Sequence, residues 1–152
     1  MSEIRYLQEM ETMFQALSDK TRLRLLNLMS DEEVCVCFFT EVLGDSQPKI
    51  SRHLAYLRNA YLVEARRDGK WMHYSIKWPD DEGLRSILQA TLLALEENRD
   101  MQADKANYKN VCCTPELLVQ IARTPIDFIS ATPDISSYPV PVAHNELDEF
   151  LL

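Results

Sequence analysis

Glycine is scarce in this chain, three residues in 152, and histidine equally so. Without glycines to build an oxyanion hole or a nucleophile elbow, Ser51 with His53, Glu41, or a cysteine with His73 make only paper triads. An enzyme is therefore not expected. No run reaches the ~18 apolar residues of a membrane span, and no charged start with an apolar stretch resembles a signal peptide. The reading is a cytoplasmic protein with no membrane partner and no organic cofactor. Its four cysteines then stay reduced, as thiols for ligation or redox chemistry rather than a disulfide framework.

What is present is concentrated between Ser46 and Ile76. Ile50, Leu54 and Leu57 recur at i, i+4 and i+7, one apolar stripe of a helix. Off that stripe lie Gln47, Lys49, Ser51, Arg52 and His53, able to reach phosphates and base edges. Val63–Arg67 and Lys70–Lys77 flank Asp68-Gly69, a two-residue hairpin signal. A polar helix beside a basic hairpin reads as a winged helix-turn-helix, and double-stranded DNA as its partner. The net charge of −8 does not oppose this. Residues 47–77 hold seven basic residues and two acidic ones, a local +5 on a body that carries −13. Such a patch binds a duplex in one orientation and repels it elsewhere.

Ile4, Leu7, Met10, Phe14 and Leu17 predict an amphipathic first helix, closed at Ser18-Asp19, which also caps a second helix over Lys20–Met29. A third is expected over Val34–Leu43, ending at Gly44, and a fifth over Asp80–Arg99. The fold class is mainly α with a small β-hairpin (α+β). The apolar faces of the first and fifth helices exceed what a small core needs, which suggests a homodimer through them. On the hairpin, Met72, Tyr74 and Ile76 share the core face; Trp71, His73 and Ser75 share the other. Residues 1–100 read as the DNA-binding and dimerisation domain and 101–152 as a C-terminal extension. From Thr114 onward five prolines, no glycine, six acidic residues and a lone Arg123 suggest a tail.

The cysteines fall in two close pairs, Cys35-Val36-Cys37 and Cys112-Cys113. Soft thiolates suit As(III), Sb(III), Cd(II), Pb(II) or Cu(I) rather than Mg or Ca. Zinc usually takes four ligands including His or Cys, and the three histidines are scattered. On a helix, residues i and i+2 point roughly 200° apart. Cys35 and Cys37 open the third helix, so one ion can join them only by unwinding or tilting the start of the helix that supports the DNA-reading one. The segment from Arg99 to Cys112 spans up to roughly 43–47 Å if extended. Reach thus leaves open whether the pairs meet within or across subunits.

Between about Met13 and Ile76 the chain resembles the ArsR/SmtB family of small metal-sensing repressors. The carriers are FQALSDKTRLRLL (14–26), EVCVC (33–37), SQPKISRHLAYLRNAYLV (46–63) and RRDGKWMHYSI (66–76). Cys-Val-Cys at the third helix resembles the arsenical-sensing branch. The resemblance implies a dimeric winged-helix repressor that leaves its operator when trivalent arsenic or antimony binds. It also implies that Cys35 and Cys37 are the arsenite thiols. Ser46, Gln47, Lys49, Ser51, Arg52 and His53 then fall on the recognition helix, and Arg66, Arg67 and Lys70 on the wing. Three positions depart from the pattern: Phe38 follows Cys37 where Asp is usual, Thr40 stands where a third cysteine often follows, and Tyr61 replaces the usual glycine before the wing. Cys112 or Cys113 is then expected to supply a third sulfur for inorganic As(III). A methylarsenite, with two exchangeable positions, needs only one pair. A thiol redox sensor or a Cd/Pb-responsive repressor on the same fold is the alternative.

Overall fold

The computed structural model describes residues 3–112. Cys113 and the proline-rich segment 114–152 lie outside them. In chain order the elements are α1 (Glu3–Leu17), α2 (Lys20–Met29), β1 (Val34–Cys35), α3 (Val36–Leu43), α4 (Gln47–Asn59), β2 (Val63–Asp68), β3 (Trp71–Ile76), α5 (Glu82–Glu96) and α6 (Arg99–Cys112). This is the winged helix-turn-helix expected, with two additions, β1 and α6.

Local chemistry sets the helix boundaries. Asp19 is extended and its Oδ1 accepts the Arg22 N–H at 3.0 Å, satisfying one of the open donors at the start of α2. The Arg22 side chain turns back to donate to the Ala16 and Gln15 carbonyls at 2.7 and 2.9 Å. Its guanidinium also lies 4.1 Å over the Tyr56 ring, so one residue ties α1, α2 and α4 together. Gly44, at φ +70°, closes α3 in the left-handed conformation that only glycine adopts without strain. Pro48 sits in the first turn of α4, where its missing N–H costs nothing.

The same left-handed step ends α4, but at Tyr61, φ +59°. Leu62 N–H bonds to the Leu57 carbonyl and Tyr61 N–H to the Arg58 carbonyl, both at 3.0 Å. This paired pattern is a Schellman motif, and it delivers the chain directly from recognition helix to wing. The hairpin turn is displaced one residue from the expectation. Asp68 pairs with Trp71, and Gly69 (φ +59°) and Lys70 form the turn, as a hairpin with Gly first requires.

The core lies where α2, α3, α4, α5 and the sheet meet, with Leu25, Leu26, Phe39, Leu54, Leu57, Leu62 and Leu88 fully buried. Each such leucine stabilises the fold by about 1.5–3 kcal/mol relative to exposure. Met72, Tyr74 and Ile76 pack against this core, as their shared strand face predicts. The first helix divides its apolar residues: Met13 and Ala16 are buried, whereas Ile4, Leu7 and Phe14 are exposed. No described helix is long and apolar enough to cross a membrane.

Two expectations are corrected. Val34 and Cys35 are not helical but form β1, which pairs antiparallel with β3 (Val34 with Tyr74, Cys35 with His73), giving the sheet order β1-β3-β2. The long helix expected over Asp80–Arg99 ends at Glu96, and a further one starts at Arg99. Asn98 Oδ1 accepts from the N–H groups of Asp100 and Met101 at 2.9 and 3.3 Å, capping α6.

Candidate thiol site and nucleic-acid interface

The recognition helix buries Ile50, Leu54, Ala55 and Leu57 and turns its other side outward. On that outer side Ser46 and Arg52 are exposed, and Gln47, Lys49 and Ser51 are half-buried. Lys49 Nζ lies 2.9 Å from Asp45 Oδ1, which orients it along the first turn. His53 faces inward instead. Its Nδ1 is 3.6 Å from Asp19 Oδ1, and burial holds its pKa below the ordinary histidine range, with Asp19 opposing. At the wing, Arg67 Nε donates to the Gly69 carbonyl at 3.2 Å and Lys70 Nζ lies 5.6 Å over the Trp71 ring. Both are exposed at the hairpin tip. Arg66 is exposed too, but its guanidinium is held by Glu33.

Cys35 ends β1 and is the N-cap residue of α3, with φ −68° and ψ 137°. Cys37 is in the first turn of the helix. The extended backbone at Cys35 cancels the divergence that two helical positions would impose. Cys37 Sγ donates to Cys35 Sγ across 3.0 Å. The helical geometry expected for this pair is therefore wrong, and so is its consequence: the sulfurs converge with no turn unwound. Cys35 is 8% exposed, yet the bond from Cys37 pulls its thiol down to about 7, against the effect of burial. The same bond, with burial, pushes Cys37 well up. One buried thiolate beside one retained proton is a bidentate grip for a soft, thiophilic ligand.

Helix α6 brings Cys112 to the same end of the molecule. Asp104, 5% exposed, accepts from Arg24 Nε and Nη2 at 2.7 and 2.9 Å. Asn27 Nδ2 donates to the Met101 carbonyl at 3.0 Å. One turn further, the Tyr108 ring meets Phe38 edge-on at 5.7 Å, next to Cys37 in sequence. Burial first, then hydrogen bonding to Cys112, holds the Tyr108 hydroxyl above its ordinary range. Among the described residues no group of three His, Cys, Asp or Glu forms a cluster able to hold a metal ion, so Cys112 does not complete a three-ligand site with the pair. Thr40 Oγ1, one helical turn past Cys37, is buried without a hydrogen-bond partner among the described residues.

Sequence reasoning missed Glu33, Tyr108 and Asp104. Only Asn98, a capping residue before Arg99, signalled α6.

A recognition helix with an adjacent basic hairpin defines a winged-helix DNA-binding regulator. The family model described as "Bacterial regulatory protein, arsR family" matches residues 19–65. The chain is 39% identical over 109 residues to the arsenical resistance operon repressor of Escherichia coli K12, covering 66% of this chain and 92% of that one. It is 43% identical over 94 residues to the arsenic resistance transcriptional regulator ArsR2 of Pseudomonas putida KT2440, covering 61% and 79%. Reduced HlyU from Vibrio cholerae N16961 shares the fold, with a TM-score of 0.52 at 23% identity over 62% of this chain and 95% of that one. The chain belongs to the ArsR family of transcriptional regulators.

Proposed function

We propose that this protein is an arsenite-responsive repressor, which binds operator DNA as a homodimer and is released when trivalent arsenic or antimony takes up Cys35 and Cys37. The observation that carries this reading is the preformed sulfur pair, 3.0 Å apart at the start of α3. Arsenite exchanges hydroxyls for thiols with loss of water, so a site holding one thiolate and one thiol needs little rearrangement to accept it. The arsenic-resistance relatives support the same choice. Inorganic As(III) has a third position, which we assign to Cys112 or Cys113, with Cys112 brought to the pair by movement of the end of α6. Methylarsenite lacks that position.

The exposed Ile4, Leu7 and Phe14 of α1 and Leu93 of α5 support a dimer through those helices. Its two recognition helices would enter successive major grooves about 34–36 Å apart. Gln47, Lys49 and Arg52 are assigned to bases and nearby phosphates, with Ser46 and Ser51 on the backbone. Arg67 and Lys70 are assigned to phosphates beside the wing. His53, turned toward Asp19, supports the helix instead.

The test is a gel shift on DNA upstream of the protein's own gene, titrated with As(III), Sb(III), methylarsenite, Cd(II) and Zn(II). As(III) should weaken binding by roughly 100- to 1000-fold, about 3–4 kcal/mol. Cys35→Ser should abolish release by every arsenical. Cys112→Ser with Cys113→Ser should abolish release by arsenite and spare that by methylarsenite. Indifference of the wild type to As(III) and Sb(III) would overturn the reading. The sulfur pair also favours a second reading, a peroxide sensor. In that case Cys35 thiolate is oxidised to sulfenic acid with loss of hydroxide, then condenses with Cys37 to a disulfide and water. Release by peroxide and not by arsenite would select it.

A further inference from the structure

Because the sulfurs already converge, the signal to DNA needs a route other than unwinding α3. The sheet provides one. Cys35 lies on β1, whose neighbour β3 is also the central strand of the wing. The sulfur site and the wing therefore share a strand. A second connection crosses over it. Glu33, two residues before Cys35, receives Arg66 from β2 on the far side of β3. Arg66 Nη2 is 2.5 Å from Oε1, and Arg66 Nε is 3.2 Å from both carboxylate oxygens. His73, the strand partner of both Cys35 and Arg66, lies beneath this bridge with Nδ1 3.8 Å from Glu33 Oε1. With strands about 4.7–4.9 Å apart, the bridge spans roughly 10 Å.

We propose that the Glu33–Arg66 pair is the strut that couples the thiol site to the wing. Arg66 is then a positioning residue rather than a phosphate contact. This rests on the arsenite-responsive reading above. When the Cys35 sulfur takes a ligand, the two-residue strand that carries it shifts. Glu33 moves with that strand and drags the guanidinium, re-aiming β2 and the basic hairpin tip. The pair is suited to transmission rather than to stability. An ion pair this exposed, 56% for Arg66 and 32% for Glu33, contributes little to folding because solvent screens it. Its guanidinium geometry nonetheless fixes direction, as two-oxygen contacts do.

The experiment measures As(III) affinity and operator affinity with and without saturating As(III) in four full-length proteins: wild type, Glu33→Gln, Arg66→Glu, and the exchange Glu33→Arg with Arg66→Glu. Glu33→Gln should bind As(III) within about threefold of wild type while the ratio of operator affinities falls at least tenfold, or 1.4 kcal/mol of coupling. The exchange should recover most of the ratio that Arg66→Glu loses. An acid at position 66 cannot contact phosphate, so recovery there requires the pair. A wild-type ratio in Glu33→Gln, or no recovery in the exchange, overturns the strut and leaves the arsenite reading standing. A wild type whose operator affinity ignores As(III) overturns both.

Discussion

The two cysteine-bearing regions are built on different principles. Cys35 and Cys37 are placed by backbone: a strand pairing with β3 fixes one, the first turn of α3 fixes the other, and convergence follows from the change of conformation between them. Cys112 is placed by side chains. Helix α6 is mostly polar and docks through Arg24–Asp104, Asn27–Met101, Lys105–Asp31 and the Phe38–Tyr108 contact. A backbone-built site moves only together with the strand that carries it and presents a constant grip. A side-chain-docked helix can be loosened one contact at a time, which suits a ligand that must be delivered rather than held ready.

The sharpest way to break this comparison is Asp104→Ala. It leaves the Arg24 guanidinium, about a third exposed, without its two-point partner. Loss of one member of a well-buried pair costs about 3–5 kcal/mol, and partial exposure of the arginine lowers the expectation to about 2 kcal/mol. Urea unfolding measures the total, and amide exchange shows where it falls. Protection should drop across 99–112 and persist in β1 and α3. Equal loss in both regions would show that α6 and the thiol pair form one unit.

A smaller effect sharpens the other side. If the backbone holds the pair, the Cys35 thiolate belongs to the folded chain without any ligand. Its pKa is lowered, so the reactive anion predominates above about pH 7 and is lost as pH falls through that value. Iodoacetamide modification of Cys35 should therefore rise with a midpoint near 7. Cys37→Ala removes the donor, the first cause of the shift, and should move the midpoint up toward the ordinary thiol value of about 8.5. At pH 7 that is roughly a tenfold slower reaction. An unchanged midpoint would assign the shift to the helix start rather than to the neighbouring thiol.

The sequence discloses each element whose determinants are local. The stripe Ile50, Leu54, Leu57 marks α4, Asp19 caps α2, Gly44 ends α3, and the Asp68-Gly69 signal places the hairpin to within one residue. What it conceals depends on distant partners. Val34-Cys35 reads as the start of a helix because its strand partners lie some forty residues on, at Tyr74 and His73. Helix α6 is hidden because its inward face carries Asp104, a poor core residue until Arg24, 80 residues earlier, supplies its counter-charge. The resemblance pointed to Cys35 and Cys37 in sequence, but their geometry, and the Glu33 bridge above them, required the sheet.

The junction between α4 and β2 extends the comparison to a third, backbone-built site, and it carries the smallest expected effect. Its two Schellman hydrogen bonds are independent of the side chain at position 61, so Tyr61→Gly should leave the wing where it is. The left-handed conformation strains a non-glycine residue by about 1–2 kcal/mol. Against this relief stand the added freedom of glycine in the unfolded chain, about 0.5–1 kcal/mol, and the exposed contact of Lys77 over the Tyr61 ring at 5.5 Å, about 0.5 kcal/mol. The balance runs from a loss of about 0.5 to a gain of about 1 kcal/mol, a change of at most a few degrees in Tm, with operator affinity unchanged. If Tyr61→Gly instead lowers Tm by several degrees, the junction is held by the ring and its cation, and the distinction between backbone-built and side-chain-built regions fails where the recognition helix meets the wing.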